Sequence, residues 1–205
     1  MVTLPEFPRL GADLGEARAR LAALPAPPAE LTFLDVLQAN AARQPDKIAV
    51  SVLHSTVPGG PSTDMTYSAL TAEVLRAAAL FRAMGARPDA PVLFLGIPTL
   101  EGLIAFWGAQ VAGAVSPVNP FLSTDAIADI ARSSGARILF TAGPTVSEAC
   151  WERARGLQSL VFDAAQVVVD GGDDSRSFAR MRAATPPLDP ATFTELRHGL
   201  NRYDS

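Results

Sequence analysis

Residues 91–141 read PVLFLGIPTLEGLIAFWGAQVAGAVSPVNPFLSTDAIADIARSSGARILFT, and two apolar patterns alternate along this stretch. Three short runs are apolar along almost their whole length, as strands must be when both faces of a sheet are covered: 91–96, 114–118 and 137–141. The two segments between them carry apolar residues at helical spacing, and the first begins at Thr99, a typical N-cap residue. This order predicts an α/β fold, a layered and mainly parallel sheet with helices on both faces and right-handed crossovers.

The residues before this stretch divide into a leader and the start of a domain. Residues 1–30 are predicted to be a leader, punctuated by prolines, with a helix from about Leu14 to Leu24. Residues 31–205 then form one domain, whose pattern is clearest over 32–141. The domain begins with a helix that ends near Gln44. Thr32 is its predicted N-cap, and Asp35, at the third helical position, is placed to form a capping box with it.

A strand, a loop and a long helix follow. We predict a strand over Ile48–Leu53, an exposed loop over 54–64 that contains Pro-Gly-Gly-Pro, and a short strand over 65–67. A helix from Ser68 to about Met84 comes next, and Gly85 ends it.

The pattern is weaker after residue 141. We predict a helix over 145–155, strands near 160–162 and 167–169, a loop over 171–174, and short helices near 175–184 and 190–199.

Composition narrows the class of protein. The chain is 48% hydrophobic and 19% charged, which is typical of a globular protein, and its net charge of −4 without a basic stripe argues against a nucleic-acid partner. The lone Cys150 excludes an intramolecular disulfide, and we expect it to be a half-buried packing thiol. The uncharged run 102–118 is too short for a membrane span. The N-terminus lacks the features of a signal peptide, so we predict a cytoplasmic location.

Local motifs predict no visible active site. Lys47 is the only lysine and has no glycine loop before it, and the turn at Gly96 has a single glycine where a dinucleotide site needs several. His54 and His198 are expected to be exposed, without a nucleophile motif nearby. The remaining candidates have simpler interpretations: Asp173 and Asp174 form a solvated turn, and Trp107 is a core residue.

Two short motifs and their spacing nevertheless resemble those of one enzyme family. Residues 65–70 (MTYSAL) are similar to its first core motif, a Thr-Tyr pair that opens a helix, although Ala69 replaces the usual glutamate. Residues 109–120 (AQVAGAVSPVNP) are similar to its second, an Ala-Gly pair, a short strand and Pro-x-Asn-Pro. Further similar segments lie in the same order at 32–50, 85–89, 92–95, 104–107 and 129–141. The chain thus resembles the N-terminal portion of the AMP-forming acyl-CoA synthetases, of the adenylate-forming superfamily.

The resemblance implies an activity for a full-length protein. Members join a carboxylic acid to ATP, release pyrophosphate and pass the acyl group to a thiol, usually that of CoA. They need a Ser/Thr/Gly-rich phosphate loop, an acid for Mg²⁺, an aspartate for the ribose and a C-terminal lysine. These residues follow the segment seen here, so no catalytic, cofactor-binding or metal-binding residue is assigned within 1–205.

The resemblance also sets expectations for the chain itself. ATP, Mg²⁺ and CoA would serve the full-length enzyme, none is expected to bind this chain, and the chain alone is expected to be inactive. The acid would be a fatty or aryl acid. Because later sequence completes the domain in the family, this portion is expected to self-associate through incomplete sheet edges.

Three alternatives remain open. The chain could belong to a peptide-synthetase adenylation domain, although Asn119, where that branch more often has aspartate, favours the CoA ligases. It could instead be a stand-alone, non-catalytic α/β module that binds or regulates a partner. An unrelated nucleotide-binding α/β protein is the third, and the missing phosphate loop argues against it. The motif residues also have structural interpretations: Gly113 lets a helix end close to the sheet, and Pro117 and Pro120 fix the chain's exit.

Overall fold

The structure, a computed structural model, describes residues 13–24, 31–172 and 174–189. Helices and strands follow one another in this order: α1 Leu14–Ala22, α2 Phe33–Arg43, β1 Ile48–Leu53, β2 Ser62–Thr66, α3 Tyr67–Ala83, β3 Val92–Leu95, α4 Leu100–Ala112, β4 Val115–Pro117, α5 Thr124–Ser134, β5 Ile138–Ala142, α6 Glu148–Leu160, β6 Val167–Asp170 and α7 Phe178–Ala183. A single 3-10 turn, Ala164–Gln166, precedes β6. The helix predicted within the leader is confirmed as α1, and the helix predicted over 190–199 lies outside the described residues.

Four parallel strands form the central sheet in the order β4-β3-β5-β6. Val92 of β3 lies opposite Val115 of β4 on one side and opposite Ile138 of β5 on the other. Leu139 of β5 lies opposite Val167 of β6. The predicted parallel sheet is therefore confirmed, with β3 and β4 side by side.

Helices cover both faces of this sheet. Successive side chains along a strand point to opposite faces, so the strands pack in two apolar clusters. On β3, Val92 and Phe94 pack in one apolar cluster with side chains of α2, α3, α4 and α7. The alternate residues Leu93 and Leu95 pack in a second cluster, with side chains of α5 and α6. The layered α/β architecture predicted from the sequence is confirmed.

Outside the central sheet, β1 and β2 form a two-stranded antiparallel hairpin. Its second strand begins at Ser62, within the region predicted to be loop, because residues 62–64 pair with residues 51–53 of β1. The prediction that the loop extends to residue 64 and that Tyr67 ends a strand was wrong by a few residues. Thr66 is the N-cap of α3, and its side chain accepts a hydrogen bond from the Ala69 amide. The cap of α2 is confirmed, with Thr32 and Asp35 forming a capping box.

After residue 142, the structure differs from two predictions. The predicted helix 145–155 begins and ends later, as α6, with Ser147 as its N-cap. The predicted strand at 160–162 is wrong, because Leu160 ends this helix. One face of α6 is buried, at Cys150, Ala154 and Leu157. The apolar run 160–162 at its end is too short for its pattern to distinguish a strand from the end of a helix. The strand at 167–169 is confirmed as β6, and the helix near 175–184 is confirmed as the shorter α7.

Two glycines let α4 approach its neighbours closely. A side chain at Gly108 would collide with the Cβ of Ala77 and stand 3.1 Å from backbone atoms of α3. A side chain at Gly113 would lie 2.5 Å from the Arg87 carbonyl carbon, so the end of α4 abuts the turn before β3, and the next residue, Ala114, accepts a hydrogen bond from the Val92 amide of that strand. The absence of a side chain at Gly108 allows α3 and α4 to pack backbone against backbone.

Candidate functional site

The order of the strands creates a crevice at the carboxyl ends of β3 and β5. The chain leaves β3 for β4 on one side of the sheet, and it leaves β5 for β6 on the other side. The direction of the chain therefore reverses between β3 and β5. In open α/β sheets, ligands bind outside the carboxyl ends of the strands at such a reversal.

A cavity of about 530 Å³ opens beside the carboxyl end of β3. Its volume lies within the range of about 300–1,000 Å³ that is typical of small-molecule sites. The lining comes from β1, the end of β3, the turn after it and the first half of α4: Ser51, Val52, Leu53, Phe94, Gly96, Ile97, Pro98, Thr99, Gly102, Leu103 and Phe106. The Phe94 and Phe106 rings meet edge to face, with centroids 5.4 Å apart.

The turn from β3 to α4, residues 96–99, is tied to the end of β6 by a hydrogen bond. The Thr99 hydroxyl donates to Asp170 Oδ2 at 2.6 Å and accepts from the Gly102 amide at 2.8 Å. The Asp170 carbonyl in turn accepts from the Gly143 amide, which follows β5, at 2.7 Å. Thr99, Gly143 and Asp170 thus connect the carboxyl ends of three strands.

Asp170 is a buried acid, only 5% exposed. Its burial raises the pKa of this carboxyl above the ordinary value, and the hydrogen bond from Thr99 opposes that shift only in part. Sequence reasoning treated Thr99 as a helix cap alone and did not single out Asp170. The available signal was an aspartate that directly ends an apolar strand.

A second polar cluster lies next to this turn, around the guanidinium of Arg182 on α7. Arg182 Nε lies 2.9 Å from Glu73 of α3, and Arg182 Nη1 and Nη2 lie 2.9 and 3.0 Å from the two carboxylate oxygens of Glu101 on α4. The Arg182 side chain is 11% exposed, and its guanidinium also lies over the Phe178 ring at 5.1 Å. Burial raises the pKa of Glu101, while Arg182 lowers it. Sequence reasoning missed this cluster entirely.

Within the part of the chain that the structure describes, the candidate residues considered from the sequence do not lie together in the cavity. His54 is exposed, as predicted, and its Nε2 lies 2.7 Å from the Thr63 hydroxyl across the hairpin. Lys47 is exposed in the turn before β1 and is not among the residues that line the cavity. Trp107 is half-buried and packs on Phe33, with ring centroids 4.8 Å apart. His198 lies outside the described residues.

Two further predictions have different outcomes. The expectation that Cys150 is half-buried was wrong, because its side chain is fully buried between α6 and the sheet. Asp174 is exposed in a turn, as predicted, where hydrogen bonds from Arg176 lower the pKa of its carboxyl. Asp173, its predicted neighbour, lies outside the described residues.

The cavity does not suit a metal-bound triphosphate. Among the described residues, the side chains that line it carry no charge. Beside the β3–α4 turn lie the acids Asp170 and Glu101, and the cation Arg182 there is already paired with Glu73 and Glu101. Within 13–24, 31–172 and 174–189, no group of three or more His, Cys, Asp or Glu residues is placed to hold a metal ion. In those same ranges, no helix is long and apolar enough to cross a membrane.

The buried carboxyl of Asp170 predicts how stability depends on pH. Because its pKa is higher in the folded than in the unfolded chain, it binds its proton more tightly when folded, and its contribution to stability is lost as pH rises through the folded pKa. We expect the free energy of unfolding of Asp170→Asn, minus that of the native chain, to increase as the pH rises from about 4 to about 7. Urea denaturation at several pH values measures this difference. A difference between the two proteins that stays constant over this range, or falls, would contradict it.

Comparison with known proteins places this fold in a family. Residues 37–194 match the family described as AMP-binding enzyme. The chain belongs to this family. The matched region corresponds to the N-terminal portion of the adenylate-forming superfamily, so the resemblance stated from the sequence is confirmed.

Individual relatives agree with the family assignment. A marinolic acid–CoA ligase of Pseudoalteromonas is 31% identical over 105 residues, which are 49% of this chain and 16% of the relative. The phosphinothricin tripeptide synthetase PhsC of Streptomyces viridochromogenes is 32% identical over 111 residues, 54% of this chain and 10% of the relative. A long-chain-fatty-acid–CoA ligase of Archaeoglobus fulgidus has the same fold, with a TM-score of 0.63 at 16% identity, over 80% of this chain and 32% of that one. The chain therefore spans less than a fifth of each of these two sequence relatives.

Proposed function

We propose that this chain supplies the first part of the adenylating domain of an AMP-forming acyl-CoA synthetase. Such an enzyme activates a carboxylic acid with ATP and transfers the acyl group to CoA. The observation that carries the proposal is the family match over residues 37–194, and the similarity to a CoA ligase supports the acyl-CoA branch. The acid is proposed to be a fatty or aryl acid, and the cytoplasmic location predicted from the sequence stays a prediction.

The chain by itself is proposed to be inactive. Adenylation needs cations close to the phosphates of ATP, because negative charge on the phosphates must be compensated as the adenylate forms. The described cavity is lined by apolar and small polar side chains, and the guanidinium of Arg182, beside the turn that lines it, is paired with Glu73 and Glu101. ATP, Mg²⁺ and CoA are accordingly proposed to act in a full-length enzyme, with groups that this part of the chain does not supply.

A peptide-synthetase adenylation domain is the second candidate, because the match to a peptide synthetase is as strong in identity as the match to a CoA ligase. Asn119 favours the CoA ligases from sequence. In the structure its Oδ1 accepts a hydrogen bond from the Phe121 amide at 2.9 Å, a bond that an aspartate could accept equally well. This hydrogen bond therefore does not distinguish the two branches.

The chain is also proposed to self-associate. The short edge strand β4 is only partly covered, and Phe121, shortly after it, is 85% exposed. Leu53 at the end of β1 is 71% exposed beside the cavity. Unpaired strand edges next to exposed apolar side chains favour association between chains.

One preparation of the purified chain tests these proposals. We expect ATP–pyrophosphate exchange with fatty, aryl and amino acids to stay at the level of a heat-denatured control, while a full-length CoA ligase assayed in parallel exchanges. Light scattering after size exclusion should give a mass above that of the 21.5 kDa chain. Acid-dependent exchange would overturn the proposed inactivity, and exchange confined to amino acids would favour the peptide-synthetase candidate. A single monomeric mass at all concentrations would overturn self-association.

A further inference from the structure

The end of β6 and helix α7 hold the β3–α4 turn, which lines the cavity, at two points. Asp170, at the end of β6, accepts the hydrogen bond from Thr99. Arg182, on α7, forms an ion pair with Glu101, in which Nη2 donates a hydrogen bond to Oε1 and Nη1 lies 2.9 Å from Oε2. Thr99 and Gly102 both line the cavity, and Glu101 lies between them in the chain. The end of β6 and helix α7, which lie 71 and 81 residues further along the chain, therefore help to determine where the start of α4 lies.

Arg182 compensates several negative charges that would otherwise repel one another. Glu73 and Glu101 both bind its guanidinium, and Glu73 and Asp170 each act electrostatically on Glu101. Arg76, on α3, is a further cation, but its Nε lies 3.7 Å from Glu73. Without Arg182, Glu101 would be a half-buried carboxylate beside two others, and outward movement into water would relieve the repulsion.

Helix α7 has attachments to the core that do not involve Glu101. Phe178 is fully buried, with its ring 5.9 Å from Phe81 and 5.3 Å from Phe140. After the helix, the Thr185 carbonyl accepts a hydrogen bond from Arg76 at 3.1 Å. Loss of the Arg182 side chain should thus leave α7 in place and free the start of α4.

We infer that Arg182 is a positioning residue that latches the β3–α4 turn, so that breaking its ion pair with Glu101 releases this wall of the cavity. The latch concerns the conformation of this chain and does not depend on its proposed activity. Its closed state is the one described, with residues 96–102 held against β6 and α7. Its open state has the first turn of α4 released, while the sheet and α7 keep their positions.

Hydrogen exchange of the intact chain, read amide by amide, tests the latch. The amides of Gly102 and Leu103 donate to Thr99 and report on the turn, whereas the amides of Phe140 and Thr141 in β5 report on global unfolding. In Arg182→Met, protection of Gly102 and Leu103 should fall by roughly tenfold more than protection of the β5 amides, because a partly buried carboxylate loses its partner. Arg182→Lys, which keeps the charge, should recover part of that protection.

Two comparisons keep the test decisive. Arg155→Met removes an exposed ion pair with Glu152 on α6 and should leave the protection of Gly102 and Leu103 unchanged. Glu101→Gln, a milder change, should lower the protection of the same two amides. Adding Arg182→Met to Glu101→Gln should then lower their protection little further. Equal loss of protection in the turn and in β5, or loss confined to residues 178–185, would overturn the latch.

Discussion

Phe140→Ala is expected to lower the free energy of unfolding by about 3–5 kcal/mol, the usual range for removing a buried aromatic ring. Phe140 is fully buried in the middle of β5. Its ring stacks on Phe94 of β3 with centroids 5.0 Å apart and meets Phe178 of α7 edge to face. The substitution therefore leaves a void where an inner strand, its neighbour and α7 meet. Urea denaturation followed by circular dichroism, at several protein concentrations, measures the loss.

Phe121→Ala is the matched control for this prediction. Phe121 is 85% exposed, and removing its ring should change the free energy of unfolding by no more than about 0.5 kcal/mol. Similar losses for the two substitutions would mean that β5 is not at the centre of the core. A large loss for Phe121 alone would mean that its ring is buried between associated chains.

Gly108→Ala is expected to lower the free energy of unfolding by about 1–3 kcal/mol, even though alanine favours a helix more than glycine does. The added methyl would collide with Ala77 of α3 and meet that helix's backbone, which cannot move aside as a flexible side chain could. Thermal and urea denaturation would record the loss. The helices α3 and α4 can keep their spacing only while residue 108 has no side chain.

Gly15→Ala provides the same substitution in another helix. Gly15 lies in α1, which buries none of its residues, and the new methyl would meet only the Asp13 side chain at 3.2 Å. We expect no loss of stability there, and at most a gain of about 0.5–1 kcal/mol. If Gly108→Ala proved as well tolerated as Gly15→Ala, α3 and α4 would not be in backbone contact.

Much of the fold could be predicted from the sequence because burial leaves a periodic trace. The runs that became β3 and β5 are apolar on consecutive residues, which only strands covered on both faces require. The expectation of a covered strand was wrong for β4, because it is the edge strand of the sheet and is only partly buried. The helices between them show helical periodicity and begin at side chains that cap them, such as Thr99. The leading errors fall where that trace is ambiguous. The end of α6 merges with a short apolar run, and β2 is a polar strand in a largely exposed hairpin.

The candidate site could not be predicted in the same way, because its contacts are long-range. Asp170 meets Thr99 from a distance of 71 residues along the chain, and Arg182 meets Glu101 from 81 residues. No spacing rule connects such pairs, and each residue alone has an ordinary interpretation as a cap or a surface charge. In the sheet, β5 lies between β3 and β6, and the pairs form only because the turn after β3 reaches past the end of β5 to Asp170 and α7 folds back toward α4.

The order of the strands is also the most direct test of the structural interpretation, since the crevice and the latch depend on β3 lying between β4 and β5. Nuclear Overhauser contacts between backbone protons of neighbouring strands measure that order in solution. We predict contacts from residues 92–94 to both 115–117 and 138–140, in parallel register, and none between 115–117 and 138–140. Direct contacts between β4 and β5 would contradict the order and remove the basis for the crevice and the latch.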